Sequence, residues 1–86
     1  MPNHANTHMP EVTVRLAHSH DAGALIDLAA LDCADVPAGD VMVAEAGGRI
    51  VAALPVAGGK AIADPFRRTA GLVSLLELRA TQLQAA

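Results

Sequence analysis

Two β-type runs joined by a pair of glycines dominate the middle of this sequence. Residues 41–46 read VMVAEA, residues 49–54 read RIVAAL, and Gly47-Gly48 stand between them. A two-residue hairpin turn needs positive φ at both central positions, which glycine adopts without steric cost. The sequence therefore predicts an antiparallel hairpin, and Pro55 ends it because proline cannot donate a hydrogen bond to a strand ladder.

The segment before the hairpin predicts a strand and a helix. Apolar and polar residues alternate over 12–16 (VTVRL), which is the period of a half-buried strand. An apolar helical pattern then covers 22–34, with His18 or Ser19 near the N-cap and the negative charge of Asp21 in the first turn. A proline and a glycine soon after this pattern are expected to end the helix.

The segment after the hairpin predicts a short strand over Lys60–Ala63 and a second helix. Asp64 is a favourable N-cap and Pro65 a favourable first helical residue, so the helix is expected to begin there. Its leucines are expected to share one face: Leu72, Leu75, Leu76 and Leu83, widened by Val73 and Leu78. The order β-α-β-β-β-α predicts an α+β fold with a mostly antiparallel sheet of about four strands and two main helices.

Composition limits the size of the core and the possible partners. The chain has 86 residues, a net charge of −3, one Phe and neither Trp nor Tyr. These values argue against nucleic-acid binding, and the absence of any run near ~18 apolar residues argues against a membrane span. Residues 1–10 are expected to be a disordered tail, and residues 11–86 a single domain. So small a domain has a marginal core, which favours oligomerisation.

Cys33 is the only cysteine, so an internal disulfide is impossible. The chain therefore suits a reducing compartment, and we expect a cytoplasmic location. Because Cys33 stands among alanines at the end of the first helical pattern, a buried and inert thiol is expected.

The element order and several segments resemble the N-terminal part of the GNAT acetyltransferase superfamily. These segments are VTVRLA, the Asp21-Ala22 helix start, the hairpin VMVAEAGGRIVAAL, and AIADPFRRTAGLV in place of the family's V-x-P-x-x-R-x-x-G-x-G/A motif. In that family, backbone N–H groups at the helix start hold the pyrophosphate of acetyl-CoA. The resemblance implies a cofactor-binding segment formed by Arg68, Thr69, Ala70 and Gly71, whereas Val73 stands where the family has a small residue.

The same resemblance implies that the site is incomplete. The family's fifth strand forms one wall of the cofactor cleft, and this sequence ends after the helix that precedes that strand. It also has no Tyr to act as the usual general acid. We therefore expect a truncated GNAT-like domain without catalytic residues or a bound cofactor, acting through homodimerisation or a protein partner. The alternative is an acetyl-CoA or CoA site completed across a dimer or by a second chain.

A bare strand edge is the physical reason to expect a partner. Unpaired backbone groups along Lys60–Ala63 would be costly unless another chain covered them. Other candidate sites have ordinary explanations: Glu45 is expected to be a solvated charge beside the hairpin and Asp64 a helix cap, rather than general bases. The four histidines lack a third ligand on a rigid element, so no metal site is expected.

Overall fold

The computed structural model describes residues 11–85, and the predicted tail over 1–10 lies outside them. Its four strands form one antiparallel sheet in the order β1-β2-β3-β4, so strands adjacent in sequence are adjacent in space. The elements are β1 (Val12–Leu16), a 3₁₀ turn (Ser19–Asp21) leading into α1 (Ala22–Leu31), β2 (Val41–Ala46), β3 (Arg49–Pro55), β4 (Ile62–Ala63) and α2 (Ala70–Ala85). The predicted α+β class and element order are confirmed.

The hairpin of β2 and β3 forms the centre of the sheet. Gly47 and Gly48 take φ values of 60° and 81°, as the predicted turn requires. The register shifts between Ala44 and Glu45, where β3 contains one extra residue. Since both strands have a neighbour on each side, most of their residues are buried.

The two helices cover opposite faces of the sheet. Successive side chains of a strand point to opposite faces, so each central strand contributes to two cores. One core packs against α1 and comprises Leu25, Leu28, Ala29, Val41, Val43, Ala53 and Ile62. The other packs against α2 and comprises Met42, Ala44, Ala52, Leu54, Leu76 and Ala80.

The first helix ends earlier than the sequence predicts. The α1 helix stops at Leu31, and Cys33 adopts a left-handed φ of 51°. The N–H of Cys33 donates to the Ala30 carbonyl at 3.2 Å, and that of Ala34 donates to the Ala29 carbonyl at 2.9 Å. This pair of bonds is a Schellman C-cap, with cysteine in the position that glycine usually occupies. The prediction of a buried thiol was also wrong, because Cys33 is exposed.

The second helix begins later than the sequence predicts. Asp64 does not cap it: its carboxylate accepts from the Phe66 N–H at 2.9 Å, and its carbonyl accepts from the Arg67 N–H at 3.2 Å. Aspartate followed by proline also suits the first two positions of a β-turn, and that turn forms here. The first helical bond of α2 runs from the Val73 N–H to the Thr69 carbonyl at 2.8 Å. Thr69 therefore occupies the N-cap.

The strand edge expected to be bare is short and partly closed. Only Ile62–Ala63 is a strand, not Lys60–Ala63. The Asp64 N–H donates to the Val51 carbonyl of β3 at 2.9 Å, so the Ala63 N–H points away from β3. That outward N–H donates to Oδ2 of Asp32 at 3.1 Å, just beyond the end of α1. The predicted strand at Lys60–Ala63 was therefore wrong in extent, and the prediction of unpaired backbone groups was wrong for the Ala63 N–H.

The C-cap of α1 generates a stability prediction. Replacing Cys33→Gly removes the Cβ that is crowded at positive φ, so we expect the free energy of unfolding to rise by about 1 kcal/mol. The measurement is the urea midpoint at constant m-value. Cys33→Ala is the matched control, because it removes the thiol and keeps the Cβ, and it should leave stability close to that of the original chain. Equal effects of the two substitutions would contradict the strain argument.

Candidate functional site

The predicted cofactor-binding segment lies at the N-terminus of α2, beside an open cleft. This cleft of about 400 Å³ is lined by Val12, Ala46, Val51, Arg67, Arg68, Thr69 and Leu72. Its floor is apolar sheet, and its rim carries two guanidinium groups and the first turn of a helix. Because the first intrahelical bond is donated by Val73, the N–H groups of Ala70, Gly71 and Leu72 have no intrahelical acceptor.

The four predicted residues fall together in this place. Arg68 and Thr69 line the cleft, while Ala70 and Gly71 form the exposed first turn of α2. A Cβ added at Gly71 would meet nothing within 4 Å, so the packing of this chain does not require glycine there. Val73, the residue that departs from the motif, packs against the core between α2 and the sheet.

The two arginines at this cleft differ in their surroundings. The Arg67 Nε lies 3.8 Å from Oδ2 of Asp64, whereas Arg68 is exposed and pairs with no carboxylate of residues 11–85. A positive side chain next to unpaired helix N–H groups attracts anions. The arrangement can therefore hold a phosphate or carboxylate group, with Arg68 as the more available cation.

The acids considered as general bases lie together on the opposite face of the sheet. Glu45 and Asp64 line a cleft of about 260 Å³ that Asp21, Asp27 and Arg49 also line. Both carboxylates are occupied, however. Glu45 accepts from Nε of Arg15 at 3.3 Å, and Asp64, which is only 8% exposed, holds its own turn. Neither therefore has the free position beside a substrate that a general base needs.

Sequence reasoning missed an ion-pair network centred on Arg15. Its guanidinium binds the Asp21 carboxylate with two bonds, from Nη1 to Oδ2 at 2.8 Å and from Nη2 to Oδ1 at 3.2 Å. The His18 backbone N–H also donates to Oδ2 of Asp21, at 2.6 Å. His18 is the N-cap of the 3₁₀ turn, whereas the N-cap of α1 is Asp21 and not His18 or Ser19 as the sequence predicts. The network therefore fixes the start of α1 to both β1 and β2.

The network shifts the pKa of its members in the directions that favour charge. Bonds from the Arg15 guanidinium, and then from the His18 N–H, hold the pKa of Asp21 well below its usual range. Asp21 and Glu45 together raise the pKa of Arg15 further above its usual value, despite the opposing effect of burial. The Asp21 carboxylate is 8% exposed, so it is charged, buried and fully partnered. Its role is structural.

Several apolar side chains on the α2 side of the sheet are exposed, and we call them together the α2-side patch. Its members are each 38–54% exposed: Val12, Leu16, Leu75, Leu78 and Leu83. The leucine face of α2 is therefore only partly buried, since Leu76 and Ala80 alone are buried in this helix. A second cleft on this side, of about 250 Å³, opens between Leu16 and Leu83. Exposed large apolar side chains that share a cleft in this way are typical of interaction sites.

Two further properties of residues 11–85 bear on the candidate sites. No helix in this range is long and apolar enough to cross a membrane. Within the same range, no three His, Cys, Asp or Glu side chains are grouped so that they could hold a metal ion.

No family model, no curated protein and no solved structure matches this chain.

The Arg15–Asp21 pair generates a prediction about acid stability. Because the pKa of Asp21 is lower in the folded chain than in the unfolded one, its contribution is present above the unfolded value of about 3.9 and is lost as pH falls below it. We expect Asp21→Asn to lower the melting temperature at pH 7 and to flatten its fall between pH 5 and 2. Thermal melts across this pH range measure both effects.

Asp27→Asn is the matched control. Asp27 lines the same cleft, but it is exposed and its carboxylate makes no hydrogen bond within residues 11–85. Its pH profile should follow that of the original chain. An Asp21→Asn profile parallel to the original would show that the pair does not drive acid unfolding.

Proposed function

We propose that this chain is a non-catalytic interaction module, a GNAT-like half-fold that self-associates or binds a protein partner through the α2-side patch. The observation that carries the proposal is the exposure of Leu16, Leu75 and Leu83, of which Leu16 and Leu83 line the same cleft. Burying such side chains contributes roughly 1.5–3 kcal/mol each when they go from fully exposed to fully buried. Association would enlarge a core that a small domain cannot complete alone.

The polar chemistry of the chain supports a binding role over a catalytic one. The two acids placed near the sheet surface are engaged with Arg15 and with a local turn. Cys33 is exposed and unpaired, which suits a reducing compartment, so we assign the module to the cytoplasm. Its partner is in the first place a second copy of this chain.

The proposed self-association generates a prediction with a closely matched control. Leu16, in the patch, is 43% exposed, and Leu31, on the α1 side, is 42% exposed. We expect the unmodified chain to be dimeric at micromolar concentration by size-exclusion chromatography with light scattering. Leu16→Lys should shift it to monomer, because pairing would bury an uncompensated charge, and Leu31→Lys should leave it dimeric. A monomeric unmodified chain, or equal effects of the two substitutions, would refute association through this patch.

A second candidate function, acyl-CoA binding, is favoured by the cleft at the start of α2. The segment matched to the GNAT phosphate motif lies at the N-terminus of α2, and Arg68 and Thr69 of this segment line the adjacent cleft. The open space over Gly71 would admit the diphosphate of acetyl-CoA or CoA. In this proposal Arg68 neutralises the anion, and the N–H groups of the first turn donate to its oxygens. A second chain would supply the remaining wall of the cleft.

Substitution at Gly71 tests acyl-CoA binding. Gly71→Ala should raise the unfolding free energy of the ligand-free chain by about 0.5 kcal/mol, because alanine favours helix. It should also abolish any rise in melting temperature caused by millimolar CoA or acetyl-CoA, because the Cβ would fill the space that the diphosphate needs. Gly23→Ala in α1 is the control, since a Cβ there also meets nothing within 4 Å. The absence of a melting shift in the unmodified chain would eliminate this candidate.

A further inference from the structure

Most backbone N–H and C=O groups on the outer edge of β1 have no hydrogen-bond partner within residues 11–85. The Ala17 N–H donates to the Val41 carbonyl, and the Gly47 N–H donates to the Glu11 carbonyl. Backbone groups alternate in direction along an antiparallel pair, so the odd-numbered residues of β1 face β2. The N–H and C=O groups of Val12, Val14 and Leu16 therefore face outward. Among residues 11–85, the Leu16 carbonyl alone of these is bonded, to Nη1 of Arg15 at 3.2 Å.

We propose that two copies of this chain pair antiparallel through β1, with the two-fold axis at Val14, to form one continuous eight-stranded sheet. This inference rests on the self-association proposed above and specifies its surface. In that register Val14 faces Val14 of the second copy, and Val12 faces the second copy's Leu16. All three outward-facing residues then lie at hydrogen-bonded positions of the new ladder.

The apolar face of β1 suits a second copy of itself. Val12 and Leu16 stand at the two ends of the strand, and each borders a cleft against α2, of about 400 Å³ and 250 Å³ respectively. Antiparallel pairing brings the second copy's Leu16 beside the larger cleft and its Val12 beside the smaller one. The added strand would cover the exposed sides of Val12 and Leu16, the two members of the α2-side patch that lie on β1.

The opposite face of β1 supplies charge complementarity. Glu11, Thr13 and Arg15 share this face, so Thr13 would lie opposite the second copy's Arg15, and Glu11 would lie diagonal to it. The carboxylate of Glu11 is exposed and is free to approach that guanidinium. Each Arg15 is already neutralised by Asp21 and Glu45, so the two arginines do not repel strongly across the axis.

A proline substitution distinguishes an effect on pairing through the β1 edge from an effect on folding. Val14→Pro removes an N–H that faces outward, so the bonds between β1 and β2 remain and the chain should stay folded but become monomeric. Arg15→Pro is the matched control: it removes an N–H that faces β2, and it should lower the melting temperature of the fold itself. Light scattering gives the oligomeric state, and far-ultraviolet circular dichroism gives the fold.

Cysteine cross-linking tests the register without disturbing the fold. In a Cys33→Ala background, Val14→Cys should form a disulfide-linked dimer on mild oxidation, because residues facing each other in a ladder have Cα atoms about 5.5 Å apart. Val12→Cys should not, since four residues of strand, or about 14 Å, separate Val12 from the second copy's Val12.

Each outcome decides between the pairing and its rivals. A dimer that survives Val14→Pro, or that cross-links through Val12→Cys, would overturn this pairing while leaving self-association through another surface. A chain that is monomeric up to millimolar concentration would overturn both. A full-length monomer that dimerises once residues 1–10 are deleted would overturn the pairing for the intact chain, and would assign the edge to those residues.

Discussion

The burial of the β2–β3 hairpin on both faces is the constraint on which the rest of the structure depends. Ala44 and Ala52 lie opposite each other under α2, and Ala53 lies under α1, all with no exposed surface. Side chains this small let a helix approach the sheet closely on each side. The high alanine content therefore builds three thin layers around one hairpin, in which few large side chains are fully buried. Large apolar side chains remain at the margins of these layers.

The two edge strands of the sheet, β4 and β1, differ in how far their outward-facing backbone groups are bonded. At β4, the strand is only two residues long, and Asp32 accepts the outward-facing N–H of Ala63. Short edge strands with occupied donors are a common protection against unwanted pairing. At β1, five residues pair with β2 on one side only within residues 11–85, and the exposed apolar residues of the sheet are concentrated there. The edge expected to need a partner is therefore the protected one, and the edge at the start of the domain is the open one.

Patterns among neighbouring residues predicted the secondary-structure elements well, but contacts between separate elements could not be predicted from the sequence. The hairpin, the strand β1 and the α+β class depend on neighbouring residues, and all were predicted correctly from the sequence. The half-burial expected of β1 was wrong, because Val12 and Leu16 are exposed. The boundaries failed where one signal fits two structures: Asp64-Pro65 suits a helix start and a β-turn equally. The C-cap at Cys33 was missed because glycine is the usual residue there. The bonds of Asp21 to Arg15 and of Asp32 to Ala63 join separate elements, although an arginine in β1 near an acid at a helix start was a usable hint.

The two proposed binding surfaces are coupled through Val12. This residue lines the cleft at the start of α2, and it is also an outward-facing member of the β1 edge. A second copy paired there would bring its Leu16 to the mouth of that cleft, which gives the cleft a wall supplied from outside the chain. The affinity for an anion held by Arg68 and the first turn of α2 would then differ between monomer and dimer. By linkage, the bound anion would change the affinity of association correspondingly. The sign of that coupling depends on geometry. A side chain that contacts the bound ligand at the edge of the cleft favours both ligand binding and dimerisation, whereas a side chain that enters the cleft excludes the ligand. In the proposed pairing the second copy's Leu16 would stand at the mouth of this cleft of about 400 Å³, so the contacts of that side chain would decide the sign.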